Sequence, residues 1–204
     1  MALAPLPKGL HTHTDGRRQR SEQGRRRVAL AMVELTRASG APPSMDDIAK
    51  HAQVSRRSAF RYFEDMAALE LAALRLLREE VQKEHPLPHP RGALRERMEA
   101  VVEHRANTFR YMAPLLRLAQ VRRADHVELD RELTDIRFGF REHLMVVFTG
   151  ELARLVPERR EDQLHALEMV CGFDAYNALR AGQGCQEEQA RRITLDLMDR
   201  LLAP

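Results

Sequence analysis

The sequence predicts an all-α protein, a three-helix head at the N-terminus followed by a larger helical-bundle body. Three observations carry this expectation. Apolar residues recur at helical spacing along most of the chain, and no stretch alternates apolar and polar residues between turn pairs as a sheet requires. Two short helical patterns joined by a tight turn stand at residues 44–63, SMDDIAKHAQVSRRSAFRYF. Charge is divided: residues 1–63 hold 12 Lys and Arg against 5 Asp and Glu, whereas 64–204 hold 21 against 25.

A basic head on an acidic body is the electrostatic footprint of nucleic-acid binding by one end. An anionic membrane would also attract it, but the basic segment lacks a large apolar face with aromatic or leucine anchors. Arginine outnumbers lysine 30 to 3, a bias that a GC-rich genome produces unaided. At 204 residues, 44% hydrophobic and 31% charged, the chain can hold a small domain and a larger one. No apolar run approaches a membrane span, and the N-terminus lacks the apolar core of a signal peptide. Cys171 and Cys185 are the only cysteines. They read as reduced thiols of a cytoplasmic protein with no membrane partner.

Residues 1–20 show no helical period and read as a disordered basic tail. His11 and His13 lack further ligands there, so no metal site is assigned. Arg17, Arg18 and Arg20 read equally as a solvated tail or as an arm entering a minor groove. A helix follows over 21–39 on the stripe Val28, Ala31, Met32 and Leu35, ended by Gly40.

In the next pair, Ser44 caps a helix with Asp46 and Asp47 in its first turn, where the dipole favours negative charge. Met45, Ile48, Ala49 and Ala52 give it one apolar face. Gln53-Val54 makes the turn, and Ser55 caps a second helix from Arg56 to Phe63. Ala59 and Phe63 lie one turn apart and dock it on the first. Arg56, Arg57, Ser58 and Arg61 are left outward, near the N-terminal end. An ordinary hairpin with solvated arginines is the plain alternative. The agreement of cap, turn, aromatic anchors and outward cluster favours a recognition helix in a major groove.

At these residues the stretch resembles the DNA-binding domain of the TetR family of bacterial regulators. The matching run is Asp47-Ile48-Ala49, Val54-Ser55-Arg56, Phe60-Arg61-Tyr62-Phe63 and Ala68-Leu69, within roughly residues 22–75. The resemblance implies a helix-turn-helix domain over 21–66 and a ligand-binding and dimerisation body over 67–204. Its DNA-contacting candidates are Ser44, Ser55, Arg56, Arg57, Ser58, Phe60, Arg61, Tyr62 and Met66. Two positions depart from the family pattern. Gln53 stands where Gly is usual, and Met66 where Lys is usual. At Met66 the side-chain charge is gone, while the backbone N–H remains available to a phosphate.

A helix from about 65 to 84 carries Leu69, Ala72, Ala73, Leu76 and Leu77, and His85-Pro-Leu-Pro-His-Pro90 breaks it as a rigid linker. Further helices are expected over 91–110, 114–122, 125–155, 158–181 and 186–202, with Pro114 in a first turn. Polar residues interrupt their apolar faces. Arg105 follows Leu94, Met98 and Val101. Asp174 and Asn177 follow Leu167, Val170 and Cys171. His143 stands between Phe140 and Val147. Buried charges need partners, so either an Arg105–Asp174 ion pair with His143 and Asn177 nearby, or an apolar cavity with convergent polar groups, is expected. The resemblance implies the cavity, an effector site between the helices at 91–110 and 158–181. Arg105, Tyr111, Phe140, His143, Phe173, Asp174 and Asn177 are its candidate residues; Tyr111, Phe140 and Phe173 serve equally as plain core.

The last helix has a broad apolar face, with Ile193, Leu197 and Leu201 in one row and Leu195, Met198 and Leu202 beside it. Exposed on a monomer it would leave a large patch. Docking onto its own body is the plain alternative; a homodimer through the last two helices is expected, with Ile193, Leu197, Met198 and Leu201 at the interface. No phosphate loop, cysteine cluster, HExxH or repeated Glu-x-x-His is present, so neither catalysis nor a cofactor is assigned. The expectation is a cytoplasmic, homodimeric transcriptional repressor, released from a near-palindromic double-stranded operator by a small-molecule effector. The alternative is a helical small-molecule carrier or enzyme.

Overall fold

A computed structural model describes residues 12–88 and 91–203. The described chain divides between Ala73 and Leu74 into two compact units. Within the described residues the elements are helices and turns.

The head is built from α1 (Thr12–Ser39), α2 (Met45–His51) and α3 (Arg56–Tyr62), and it includes the first half of α4 (Met66–Glu84). Val28, Ala31 and Met32 of the expected stripe are buried, with Leu35 half-buried. Ile48 and Ala49 of α2, Ala59 of α3, and Phe63 beyond it are buried as well. Gly40 ends α1 with φ +68° and returns its N–H to the Thr36 carbonyl at 2.9 Å, a backbone conformation that suits glycine. One expectation fails here: α1 starts at Thr12, so residues 12–20 are helical despite lacking an apolar period. Extending a formed helix adds a hydrogen bond per residue without a new nucleus. Residues 1–11, with His11, and the linker residues His89 and Pro90 lie outside the described residues.

The body runs from Leu74 through the second half of α4 to α5 (Leu94–Arg122), α6 (Val127–Val147) and the single turn α7 (Thr149–Leu152). It continues with α8 (Pro157–Cys171), α9 (Phe173–Asn177), a wide π-type turn (Ala178–Gly182) and α10 (Glu187–Leu202). α5 packs against α6, α9 and α10, and α8 packs against α6 and α10. Their shared core holds Met98 and Val101 from α5, Leu144 and Val147 from α6, Phe148, Leu164 and Leu167 from α8, and Met198 and Leu202 from α10.

Three predicted boundaries are corrected. The helices at 91–110 and 114–122 form one helix, with Pro114 inside it. Proline removes the donor to the Arg110 carbonyl, but Arg110 is exposed, so water can take that acceptor. The helix expected over 125–155 breaks at Phe148, whose ring is fully buried in the body core and whose backbone leaves the helical region at φ −108°, ψ 24°. The helix expected over 158–181 breaks at Gly172, extended at ψ 167°. A Cβ there would lie 2.6 Å from the Glu168 carbonyl oxygen, so this break depends on glycine.

Candidate nucleic-acid interface and body cleft

Local chemistry fixes the α2–α3 pair. The Ser44 hydroxyl oxygen accepts the Asp47 N–H at 3.2 Å, and the hydroxyl donates to the Asp47 carboxylate at 2.6 Å. The Ser55 oxygen accepts the Ser58 N–H at 3.1 Å. Both serines thus serve as the caps the sequence indicates. Between the helices, Gln53 takes φ +54° while the Val54 N–H reaches back to the Ala49 carbonyl at 3.0 Å. Gln53 therefore adopts the left-handed conformation that glycine accepts without strain.

Ala59 and Phe63 anchor α3, and the Arg25 guanidinium lies 4.7 Å from the Phe63 ring centre. The opposite face presents Arg56, Arg57, Phe60 and Arg61, all exposed. Phe60 keeps 46% of its surface in water, an aromatic set among cations. Arg56 is partly occupied: it pairs with Asp46 at 3.2 Å and stacks 5.6 Å from the Phe60 ring centre. Arg57 has no ion pair or hydrogen bond among the described residues, and Arg61 sits 5.5 Å from the Tyr62 ring centre. Tyr62 is half-buried against α1; a Cβ on Gly24 would fall 2.3 Å from its hydroxyl oxygen. Gly24 was not among the sequence candidates, although a lone glycine within a predicted helix signals a close approach. Met66 opens α4, half-buried. There Asp65 already accepts the Ala68 N–H at 2.7 Å, and this acidic cap disfavours a phosphate at that helix end.

In the body, a small cleft between α5, α8, α9 and α10 holds a cavity of about 20 Å³, partly open to solvent. Arg105 and Phe109, Cys171, Tyr176, and Arg191 and Thr194 stand among its walls. Of the seven sequence candidates, Arg105 lines it. Arg105 is 3% exposed. It donates from Nη2 to the Phe140 carbonyl at 2.9 Å and lies 3.7 Å from that ring's centre. Burial lowers its pKa to about 10, so it stays cationic near neutrality. Its neighbour Cys171 is pushed up to about 12 by burial and is a neutral thiol.

The expected Arg105–Asp174 pair does not form. Asp174 is exposed and accepts from Gln120 at 2.8 Å; Asn177 accepts from Arg117 at 3.3 Å. The break at Gly172 rotates α9 out of the phase that a continuous helix would give these residues. Phe140 and Phe173 pack edge-on against Phe109, with centroids at 5.4 and 5.6 Å, and support the cleft wall from behind. Tyr111 stacks on His85 at 5.4 Å. His143 is buried, and its Nε2 is paired with the Pro88 carbonyl at 3.3 Å. Arg191, Cys171 and Tyr176 were missed as cleft residues; only the break at Gly172 brings Tyr176 into line.

No curated protein matches the chain significantly. Among solved structures, a transcriptional regulator from Rhodococcus sp. Rha1 superposes with a TM-score of 0.68 at 19% identity, covering 87% of this chain and 95% of its own. The multidrug binding protein EbrR, complexed with imidazole, superposes at 0.56 and 24% identity, covering 85% of this chain and 93% of its own. At such identities the likeness speaks for the fold. The family likeness lies in the head, where residues 37–76 match the model for bacterial regulatory proteins of the tetR family. With its capped α2–α3 pair inside that match, the head is a tetR-type DNA-binding domain.

Proposed function

We propose that the protein is a homodimeric repressor whose two α3 helices read the half-sites of a near-palindromic operator, and that a small molecule bound in the body releases it. The observation that carries the DNA-binding half is the exposed face of α3, with Arg57 and Arg61 held outward by the buried Ala59 and Phe63. Arginine pairs bidentately with guanine in the major groove. Two-fold protein symmetry would be copied into the operator.

The cleft beside Arg105 supports the ligand-responsive half. EbrR, which shares the fold, is a multidrug binding protein. The response would pass through α4, whose second half is tied to α6 by Arg75 and Arg78 on Glu132. An effector acts this way only if it binds the DNA-competent and released arrangements unequally. Exposed apolar residues on the packed α8–α10 pair, Met169 and Leu197, support pairing with a second copy.

Selection of bound sequences from random duplex DNA tests the reading, repeated with small-molecule extracts. Enrichment of a near-palindrome, affinity that falls with salt, and release by an extract component are expected. Absence of any salt-dependent duplex binding would overturn it.

A further inference from the structure

The cleft contains an electrostatic imbalance. Arg105 is a buried cation with one hydrogen bond, to the Phe140 carbonyl; its Nε and Nη1 are buried without an acceptor. The groups around it offer no compensating charge. Cys171 is a neutral thiol. His104 and His143, on whose titration Arg105 acts, are held neutral by burial and by Arg105 itself. Arg191, the second arginine at the cleft, pairs with Glu103 and Glu187, yet its Nε is also buried without an acceptor. A desolvated cation with open donors beside an empty space is costly, and an anion in that space would relieve the cost. Stacking on Phe140 offsets part of the cost but supplies no acceptor.

We propose that this cleft binds a small organic acid, its carboxylate held by Arg105 and its apolar part against Phe109 and Tyr176; this rests on the reading of the body as a ligand-binding unit. A monocarboxylate fits better than a phosphate. One uncompensated cation matches one negative charge, and the remaining wall is largely apolar and aromatic. The enclosed volume is small, about 20 Å³, and the cleft is partly open, which favours a short acid over a large multi-ring compound.

The test uses acetate through octanoate, benzoate and salicylate, each beside its primary amide, which keeps the shape and removes the charge. Binding to the full-length protein is followed by calorimetry and thermal melts. At least one acid should bind about tenfold or more tighter than its amide and raise the melting temperature. Arg105→Gln should abolish that preference, and Arg105→Lys should retain part of it. The comparison of acid with amide needs only the wild-type protein, so an Arg105→Gln chain that folds poorly leaves the test intact. Amides that bind as well as acids would overturn the assignment of Arg105 while leaving a ligand-binding cleft. No acid binding better than its amide would also overturn it. Release from DNA by a neutral extract component would then still uphold the broader regulatory reading, and its absence would remove both.

Discussion

Glu132, 2% exposed, holds the Arg75 Nε at 2.7 Å, and the Arg78 Nη1 lies 2.8 Å from its other oxygen. The arginines belong to α4 and keep part of their surface in water; the carboxylate belongs to α6 and keeps almost none. The relationship is therefore asymmetric. Removing both arginines strands a buried charge, whereas removing the carboxylate lets the arginines turn to solvent. The double variant Arg75→Ala/Arg78→Ala should lose about 3 kcal/mol of body stability, and Glu132→Gln clearly less. Urea melts of the three proteins decide this; equal losses would show that the carboxylate does not depend on its partners.

On α3 the arginines differ in how free they are. Arg57→Ala and Arg61→Ala should each weaken specific DNA binding by about 1–3 kcal/mol. Arg56→Ala should cost less, because binding must first compete with its pair to Asp46. Tyr62→Phe should weaken all sequences more evenly if the hydroxyl meets a phosphate. Gly24→Ala should resemble it, since the added Cβ meets the far end of the Tyr62 side chain and displaces it. Titrations against specific and scrambled duplexes separate these effects, and unchanged affinity in all of them would remove α3 as the reading helix.

The turn before α3 stores strain. Gln53 at φ +54° lies in the left-handed region, which costs an ordinary residue about 1–2 kcal/mol. Gln53→Gly relieves it but gives the unfolded chain more freedom. The net gain should be about 0.5–1 kcal/mol in the head, read as a higher urea midpoint. Gln53→Val, β-branched, should destabilise. A Gly variant no more stable than wild type would mean that the glutamine side chain contributes contacts of its own.

These positions also mark what the sequence could and could not reveal. The head was legible because local chemistry decides it: Ser44 and Ser55 cap within three residues of themselves, and Ala59 and Phe63 follow one helical period. The body was legible in class but not in phase. The apolar period runs on through both breaks; burial of the Phe148 ring and the approach of Gly172 to the Glu168 carbonyl accompany them. Beyond Gly172 the extrapolated face is wrong. Asp174 and Asn177 therefore lie off the cleft, which Tyr176 lines instead, whereas Arg105, on an unbroken helix, stands at its wall.

Two buried imidazoles make the body sensitive to acid. The His104 Nε2 pairs with the His85 carbonyl at 3.1 Å, and His143 lies beside it with ring centroids 5.8 Å apart. Burial, and then Arg105, lower His104 from 6.5 to about 4; the same causes lower His143. In this state the unfolded chain takes up protons before the folded one does. Stability is thus full above the ordinary histidine range and falls as pH drops from about 6.5 toward 4. The urea midpoint of wild type should decline across that window. His104→Leu should show a shallower decline, and a parallel one would clear His104 of the effect.

Ile193, Leu197, Met198 and Leu201 were expected to face a partner, but Met198 is 0% exposed and sits in the body's own core, beside Leu202. Leu201 packs partly against that core, and its carbonyl accepts from Gln163. Ile193 is half-buried, and Leu197 is 42% exposed. The helix thus divides its apolar residues: Met198 and Leu202 close the protomer, and Leu197 is left open to a second copy. Leu197→Asp should therefore yield a folded monomer with an unchanged helical signal and a much weaker hold on a two-half-site operator, because each half-site alone binds weakly. Met198→Asp should instead unfold the body, since it buries an unpaired charge. Sedimentation and circular dichroism on both variants separate the roles. A wild-type protein that sediments as a monomer at micromolar concentration would remove the homodimer, and a Leu197→Asp variant that remains dimeric would place the interface elsewhere.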